Sequence, residues 1–285
     1  MYSSPTPYPN LNGLLQEFRD RVAAALGANL TGVYLQGSLA VGDFDQSSDI
    51  DFIVVIEKDL TDKQVQAINQ VHADIFSLGG RYRPDCPTPH GEPPPGHWET
   101  SLEGSYFPRN LLQPTDAPPS DLWYLDNGST YLERKNHDNT LVARWTLRER
   151  GIVVGGPPPH LLVDLVPPEA LRQEVLADMA RIVREFADPF WNSRFGQPYA
   201  VFNFCRMLMT VKTGEIHSKR AGVAWAMTAL EPRWRPLINR AWAARGTGHV
   251  SEPADQAEYA ETIAFIEEVL KVATRFVGTP ASCEY

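Results

Sequence analysis

Apolar residues recur at helical spacing in some parts of the chain and form short continuous runs in others. The segment 11–27 has the spacing of an amphipathic helix, which Gly27 ends. Short apolar runs at 32–36 and 50–57 predict two strands, and the segment 61–76 predicts a second helix. This alternation predicts a domain that mixes helices with a small mixed sheet.

The middle of the chain is less regular. A loop rich in proline and glycine is predicted at 79–97, followed by a third strand at 98–107. We predict irregular structure at 109–128. The pattern near 139–148 fits either a strand or a helix.

After about residue 160 the pattern becomes helical throughout. The predicted helices are 168–187, 198–213, 218–230, 232–245 and 253–276. The sequence therefore predicts an α+β protein of two domains, with a mixed domain at 1–157 and a C-terminal α-helical bundle at 158–285.

Composition narrows the possible functions. The formal net charge is −9, and no basic run of the kind that a general nucleic-acid binder carries is present. We therefore expect no nucleic-acid partner, and an acidic surface favours cationic small molecules weakly. No apolar stretch approaches the roughly 20 residues that span a membrane. The three cysteines match no zinc pattern, so we expect reduced thiols in a cytoplasmic protein. We also expect a monomer.

The strongest chemical signal is the pair Asp49 and Asp51 at the start of the second strand. Side chains alternate along a strand, so both carboxylates point to one face while Ile50 and Phe52 point into the core. Two carboxylates side by side repel each other unless a cation neutralises them. Magnesium takes such oxygen ligands and leaves room for substrate phosphates.

A second signal, Gly37-Ser38, follows the first strand and is predicted to open a short helix. The backbone N–H groups at a helix start favour anions, and glycine lets a phosphate approach the backbone closely. The hydroxyls of Ser38 and Ser48 can bond phosphate oxygens. Together the two signals describe a triphosphate held by a helix end and by metal on two aspartates.

The stretch GVYLQGSLAVGDFDQSSDIDFIVVI resembles the signature of the polymerase-beta-type nucleotidyltransferase superfamily. Within it, the chain resembles the aminoglycoside 3''-type adenylyltransferases, which modify streptomycin and spectinomycin. The likeness extends to MLMTVKTGEIHSKRAGVAWAM in the helical half. It implies a nucleotidyltransferase that uses ATP and two Mg²⁺ ions, with an active site between the domains.

The resemblance also implies further site residues. A third carboxylate, which would complete the metal site and act as general base, matches Glu103 best, and Glu99 on the same predicted strand is its rival. Arg206 and Lys219 match the residues that hold the nucleotide phosphates. Asp49, Asp51 and Glu103 would thus carry catalysis and metal, while Gly37, Ser38, Ser48, Arg206 and Lys219 would bind the nucleotide.

The acceptor half departs from the family pattern. Where the family has acidic antibiotic-binding residues, this chain has Trp191-Asn192 and the segment 196–199, and near a family tryptophan it has the segment 135–138. We expect AMP transfer from ATP to a hydroxyl of a small molecule, an aminoglycoside-type antibiotic first, with release of pyrophosphate. An adenylyltransferase for a protein or metabolite hydroxyl, and a nucleotide-binding module without turnover, are the alternatives.

Overall fold

The computed structural model describes residues 4–45, 48–86, 98–113, 120–246 and 249–278. The chain divides into two compact units, Met1–Val166 and Pro167–Tyr285. The boundary between them follows Val166, compared with the predicted boundary after residue 157. None of the described helices is long and apolar enough to cross a membrane.

The first unit is built on a six-stranded mixed sheet in the order β5-β4-β3-β2-β1-β6. Only β2 and β3 pair in parallel among these neighbours, and the other pairs are antiparallel. The strands are β1 (Leu30–Leu35), β2 (Ile50–Ile56), β3 (Leu102–Pro108), β4 (Leu122–Leu125), β5 (Leu132–Lys135) and β6 (Ile152–Gly155). The predicted α+β class with a small mixed sheet is confirmed.

Four helices accompany the sheet in the described part of this unit: α1 (Pro9–Leu26), α2 (Gly37–Ala40), α3 (Asp62–Phe76) and α4 (Leu141–Arg150). Their ends follow from local chemistry. Thr61 and Gln64 form a reciprocal capping box at the start of α3, and the Thr140 hydroxyl accepts a hydrogen bond from the first turn of α4. The ambiguous pattern near 139–148 is therefore a helix.

Each face of the sheet is covered by its own apolar core. Phe52 packs with Phe18 of α1 and with α3 on one face, while Ile53 belongs to a second core with Leu147 of α4 on the other. Strand β2 is buried on both sides, which explains its continuous run of apolar residues. Asp51 is two residues from Ile53 on β2, so its side chain leaves the sheet face that α4 covers. The candidate site lies on this face, at the start of β2.

The second unit is helical in the part that the structure describes. Its helices are α5 (Pro168–Glu185), α6 (Gly196–Thr213), α7 (Lys219–Ala229), α8 (Arg235–Ala243) and α9 (Gln256–Gly278). The central helix α6 packs against α5, α7, α8 and α9. Gly214 ends α6 in a left-handed conformation, and the Ser218 hydroxyl caps α7.

Two predictions about the middle of the chain are wrong. The segment 109–128 contains strand β4, although residues 114–119 lie outside the described part. The third strand starts at Leu102 and not at residue 98, because Trp98–Thr100 forms a 3₁₀ turn. The short strands β5 and β6 were not predicted. Residues 87–97 of the predicted loop 79–97 also lie outside the described part, as does Cys283.

Candidate functional site

Two of the predicted carboxylates lie side by side on neighbouring strands. Asp51 of β2 and Glu103 of β3 are partners in the register of the parallel pair, so their side chains leave the same face of the sheet. Asp49 immediately precedes β2. All three residues are partly buried, and 18% of the Glu103 side chain is exposed. The sheet register therefore brings together the carboxylates that the sequence singled out.

Residues 36–38, which we call the β1–α2 turn, lie against Asp51. The Gln36 backbone N–H donates to the Asp51 carbonyl at 2.9 Å. Gly37 has a φ of +57°, and a Cβ placed on it would lie 1.8 Å from the Asp51 Oδ2 atom. Only glycine fits this position, because both the backbone conformation and the neighbouring carboxylate exclude a side chain.

The two predicted hydroxyl groups have different surroundings. The Ser38 Oγ atom is buried and has no hydrogen-bond partner in the described structure. A buried hydroxyl without a partner is costly, so this atom is suited to accept or donate a bond when a ligand arrives. The Ser48 hydroxyl lies 3.3 Å from the Asp45 Oδ1 atom and accepts a bond from the Asp45 N–H at 3.1 Å. Ser48 thus also shapes the turn that leads to Asp49.

The Glu103 carboxylate is bonded by Tyr124 and lies near His137, and the sequence analysis assigned neither residue a role at this carboxylate. The Tyr124 hydroxyl of β4 donates to Glu103 Oε1, and the His137 Nε2 atom lies 3.9 Å from the same oxygen. The pKa of the Glu103 carboxyl is raised from its ordinary value, first by burial and then by the charges of Asp49 and Asp138, against the lowering effect of the Tyr124 bond. A raised pKa makes this carboxylate a stronger base.

The rival base, Glu99, lies away from this arrangement. It belongs to the 3₁₀ turn Trp98–Thr100 and precedes β3, so strand alternation does not place it beside Glu103. Its side chain is buried, and its Oε1 atom accepts a hydrogen bond from the Tyr82 backbone N–H at 2.9 Å. Glu99 therefore holds a loop, and the register with Asp51 favours Glu103.

Two more residues complete the surroundings of the carboxylates. The Asn127 side-chain amide donates to the Asp49 Oδ1 atom. Asp138 is buried and accepts hydrogen bonds from Gln36 and Ser105. Sequence reasoning missed these contacts because each joins segments that are far apart in the chain. The Asp138-Asn139-Thr140 run ahead of α4 was the available signal, since such residues favour turns and helix caps.

The carboxylates suit magnesium by their chemistry. Among the described residues, no group of three or more His, Cys, Asp or Glu side chains is arranged to hold one metal ion. Magnesium does not need such a group, because it commonly binds one or two carboxylates together with waters and substrate phosphates. Asp51 and Glu103 in register, with Asp49 close enough to influence Glu103, supply carboxylate oxygens of that kind.

The predicted cations Arg206 and Lys219 belong to the second unit. Tyr199, Phe202 and Arg206 follow one another along one face of α6. The Lys219 Nζ atom lies 5.1 Å from the ring centroid of Tyr199 and 5.6 Å from that of Phe202. The Arg206 guanidinium donates to Asn203 Oδ1 at 2.7 Å. The packing of α7 on α6 thus places both cations beside the same helix face.

Residues 191–192 and 196–199, where the resemblance predicts acidic residues, are mainly polar and aromatic. Trp191 and Tyr199 belong to a cluster of rings at the start of α6. The Asn192 Oδ1 and Gln197 Oε1 atoms are buried and lack hydrogen-bond partners among the described residues. Neutral acceptors therefore stand where the resemblance predicts carboxylates.

Comparisons with known proteins give a family match in each half of the chain. Residues 12–78 match the family model described as "Nucleotidyltransferase domain". Residues 161–271 match the model described as "Aminoglycoside adenylyltransferase, C-terminal domain". The first match contains Gly37, Ser38, Asp49 and Asp51, and the second contains Arg206 and Lys219.

Two individual proteins are similar along nearly the whole chain. The spectinomycin 9-adenylyltransferase of Campylobacter jejuni is 20% identical over 280 residues, covering 95% of this chain and 99% of the relative. A crystal structure of spectinomycin adenyltransferase AAD(9) from Enterococcus faecialis with ATP and spectinomycin has a TM-score of 0.65 at 17% identity. It covers 91% of this chain and 98% of that chain, which shows a shared fold. Together with the two family models, these matches show that the chain is a nucleotidyltransferase that resembles the aminoglycoside adenylyltransferases.

Proposed function

We propose that this enzyme transfers AMP from ATP to a hydroxyl group of spectinomycin or a related aminoglycoside-type antibiotic and releases pyrophosphate. The observation that carries the proposal is the placement of Glu103 in register with Asp51, beside a glycine turn that only glycine fits. Such an arrangement combines a base, carboxylates for a cation and a backbone that a phosphate can approach. The named acceptor of both full-length relatives supplies the choice of antibiotic.

Asp49, Asp51 and Glu103 would hold Mg²⁺, with two ions expected. Bound magnesium would neutralise phosphate charge and lower the pKa of the attacking hydroxyl. The protein's own part is to keep the carboxylates together despite their mutual repulsion. The Asn127 amide at Asp49 and the Tyr124 hydroxyl at Glu103 contribute to this by donating to carboxylate oxygens.

Glu103 is the proposed general base. Its task is to take the proton from the acceptor hydroxyl as that oxygen attacks the α-phosphorus of ATP, while the bond to pyrophosphate breaks. Burial and the charges of Asp49 and Asp138 raise the pKa of this carboxyl, and bound Mg²⁺ would act in the opposite direction. Tyr124 fixes the orientation of the carboxylate through its bond to Oε1.

The triphosphate would bind at the β1–α2 turn, and the family resemblance adds Arg206 and Lys219 as phosphate ligands. Gly37 leaves the backbone open to an oxygen, and the buried Ser38 hydroxyl lacks a partner that a phosphate would provide. Ser48 would add a hydroxyl beside Asp49. Arg206 offers a planar fork of donors for phosphate, and Lys219 offers a compact charge. These contacts would hold the α-phosphorus in line for displacement.

The acceptor we expect is cationic and carries hydroxyl groups. The chain's net charge of −9 gives such a molecule a weak, salt-sensitive attraction. The unpartnered Asn192 and Gln197 oxygens could accept hydrogen bonds from ammonium or hydroxyl groups of the acceptor. Neutral acceptors in place of carboxylates favour an acceptor of low positive charge at this position.

The test is a panel of spectinomycin, streptomycin and other aminoglycosides incubated with purified enzyme, ATP and Mg²⁺. We expect pyrophosphate release and an AMP-sized mass increase on spectinomycin, and neither product with the Asp49→Asn/Asp51→Asn variant. The proposal is overturned if no antibiotic gains AMP while the wild-type protein binds ATP with Mg²⁺. Adenylylation of a protein or metabolite hydroxyl in a cell extract would then identify the alternative acceptor class.

A further inference from the structure

We propose that Asp138 is a positioning residue that fixes the β1–α2 turn relative to the strand carrying Glu103. This inference rests on the proposed function, in which the turn holds phosphate and Glu103 accepts the proton. No hydrogen bond joins Asp138 to Glu103 in the described structure, and the Asp138 charge is the smallest of the influences on the Glu103 pKa. Its role follows from what its carboxyl group joins.

The Asp138 carboxyl is buried and has one hydrogen bond on each oxygen. Oδ1 accepts from the Gln36 side-chain amide at 3.2 Å, and Oδ2 accepts from the Ser105 hydroxyl at 2.6 Å. Gln36 and Ser105 are also buried, with 8% and 0% of their surface exposed. All three groups therefore have well-defined positions away from solvent.

One partner belongs to the turn that is proposed to bind phosphate, and the other belongs to the strand that carries the proposed base. Gln36 is the first residue of the β1–α2 turn and directly precedes Gly37. Ser105 follows Glu103 by two residues on β3, so both side chains leave the same face of the sheet. By holding both partners, one carboxyl group connects the turn to the strand at a fixed separation.

The arrangement is a costly one if stability alone is considered. Within the described residues, the contacts of Asp138 are hydrogen bonds with neutral groups, and no Lys, Arg or His forms an ion pair with it. Burying a carboxyl without an opposite charge disfavours folding unless its hydrogen bonds offset the loss of water. An apolar side chain would avoid that cost but could not hold both Gln36 and Ser105 in place.

The following residue provides a matched comparison. Asn139 is as buried as Asp138, with 8% of its surface exposed. Its amide donates to the Ser120 carbonyl at 2.7 Å, and its Oδ1 accepts from Arg144 at 2.6 Å. These bonds anchor the same segment but reach neither the β1–α2 turn nor β3. Asn139→Ala therefore removes the same number of side-chain hydrogen bonds, here partly buried, without touching the proposed connection.

The experiment compares Asp138→Ala, Asp138→Asn and Asn139→Ala for kcat, for KM of ATP and for thermal stability. A displacement of about 1 Å in a catalytic arrangement costs roughly 100-fold in rate. We therefore expect Asp138→Ala to lower kcat about 100-fold while KM for ATP changes less than about 5-fold, because the turn keeps its own backbone bonds. Asn139→Ala should lose similar thermal stability and keep kcat within about 3-fold.

Asp138→Asn separates geometry from charge. The asparagine oxygen can still accept from Gln36, and its amide can donate to the Ser105 oxygen, so we expect kcat within about 5-fold of wild type. Equal loss in Asp138→Ala and Asp138→Asn, or equal loss of kcat in Asp138→Ala and Asn139→Ala, overturns the proposal. Ser105→Ala should add little to Asp138→Ala in the double variant, because the two residues act as one unit.

If the wild-type enzyme adenylylates no antibiotic, the proposed acceptor is wrong. The inference about Asp138 can still be tested in that case. Binding of a non-hydrolysable ATP analogue with Mg²⁺, together with hydrogen exchange of the Gly37 and Ser38 amides, then provides the comparison. We expect Asp138→Ala to keep analogue affinity within about 5-fold but to increase exchange in the β1–α2 turn, whereas Asn139→Ala should leave that exchange unchanged. Unchanged exchange in Asp138→Ala overturns the inference.

Discussion

Among single residues, Glu103 depends most on its neighbours for its proposed role. Tyr124 donates to one of its oxygens, and burial together with the charges of Asp49 and Asp138 raises the pKa of the carboxyl. A carboxylate in water would be a weaker base and would point in many directions. The structure thus provides both orientation and basicity for a group that sequence alone could only nominate.

We expect Glu103→Gln to lower kcat by about 100-fold or more, because an amide cannot accept the proton from the attacking hydroxyl. Gln at this position can still accept the Tyr124 hydrogen bond, so stability should change little. The measurement is kcat for AMP transfer at saturating ATP.

Glu99→Gln is the matched control for the rival assignment. The new side chain can still accept the bond that Glu99 receives from the Tyr82 N–H, so kcat should stay within about 3-fold of wild type. Full activity in Glu103→Gln, with a large loss in Glu99→Gln, would reverse the assignment of the base.

The sequence could nominate the carboxylates but could not describe what surrounds them. Asp49 and Asp51 are two residues apart at the start of the predicted second strand, so strand alternation alone predicts that they lie together. Asp51 and Glu103 are far apart in sequence, and only the parallel register of β2 and β3 joins them. Tyr124 enters through a further pairing, that of β3 with β4, in a segment predicted to be irregular.

Among secondary-structure elements, the junction of β1 with α2 determines how much space surrounds the Asp51 carboxylate. Gly37 has a φ of +57°, and its missing Cβ leaves room for the Asp51 carboxylate. Gly42 ends the same short stretch with a φ of +74°, yet a Cβ there would meet nothing within 4 Å. The two glycines therefore share the backbone requirement and differ in their surroundings.

We expect Gly37→Ala to abolish measurable AMP transfer and to weaken Mg²⁺-dependent ATP binding, because the methyl group displaces Asp51. Gly42→Ala should cost about 1 kcal/mol of stability from its left-handed backbone and keep kcat within about 3-fold. Activity assays and chemical denaturation of both variants give the comparison. Equal activity of the two variants would show that the contact between Gly37 and Asp51 has no catalytic importance.

The length of each element and its pattern of apolar residues explain whether the sequence predicted it. A long helix such as α3 is predictable because apolar residues repeat several times along it and a cap residue, Thr61, precedes it. The strand β5 has four residues, Leu-Glu-Arg-Lys, of which only Leu132 is fully buried. One apolar residue gives no alternation, and the strand forms because its backbone pairs with β4. Short strands of this kind are fixed by pairing that sequence patterns do not show.

For the molecule as a whole, His72 links folding stability to pH. Its imidazole is 2% exposed, stacks on Phe52, and lies within hydrogen-bonding distance of the Tyr106 hydroxyl, 2.9 Å from Nε2. Burial lowers the pKa of His72 from 6.5 to about 3. The folded protein therefore keeps this imidazole neutral at pH values where the unfolded chain takes up a proton.

The direction of the effect follows from that difference. Below pH 6.5 protonation stabilises the unfolded chain only, so stability is lost as the pH falls. Between pH 7 and pH 5 this group alone should remove about 2 kcal/mol from the free energy of unfolding. Chemical denaturation across this range should show His72→Gln with a shallower pH dependence than wild type. His160→Gln, which removes an exposed imidazole, should keep the wild-type slope. An unchanged slope in His72→Gln would mean that other groups cause the acid sensitivity of this protein.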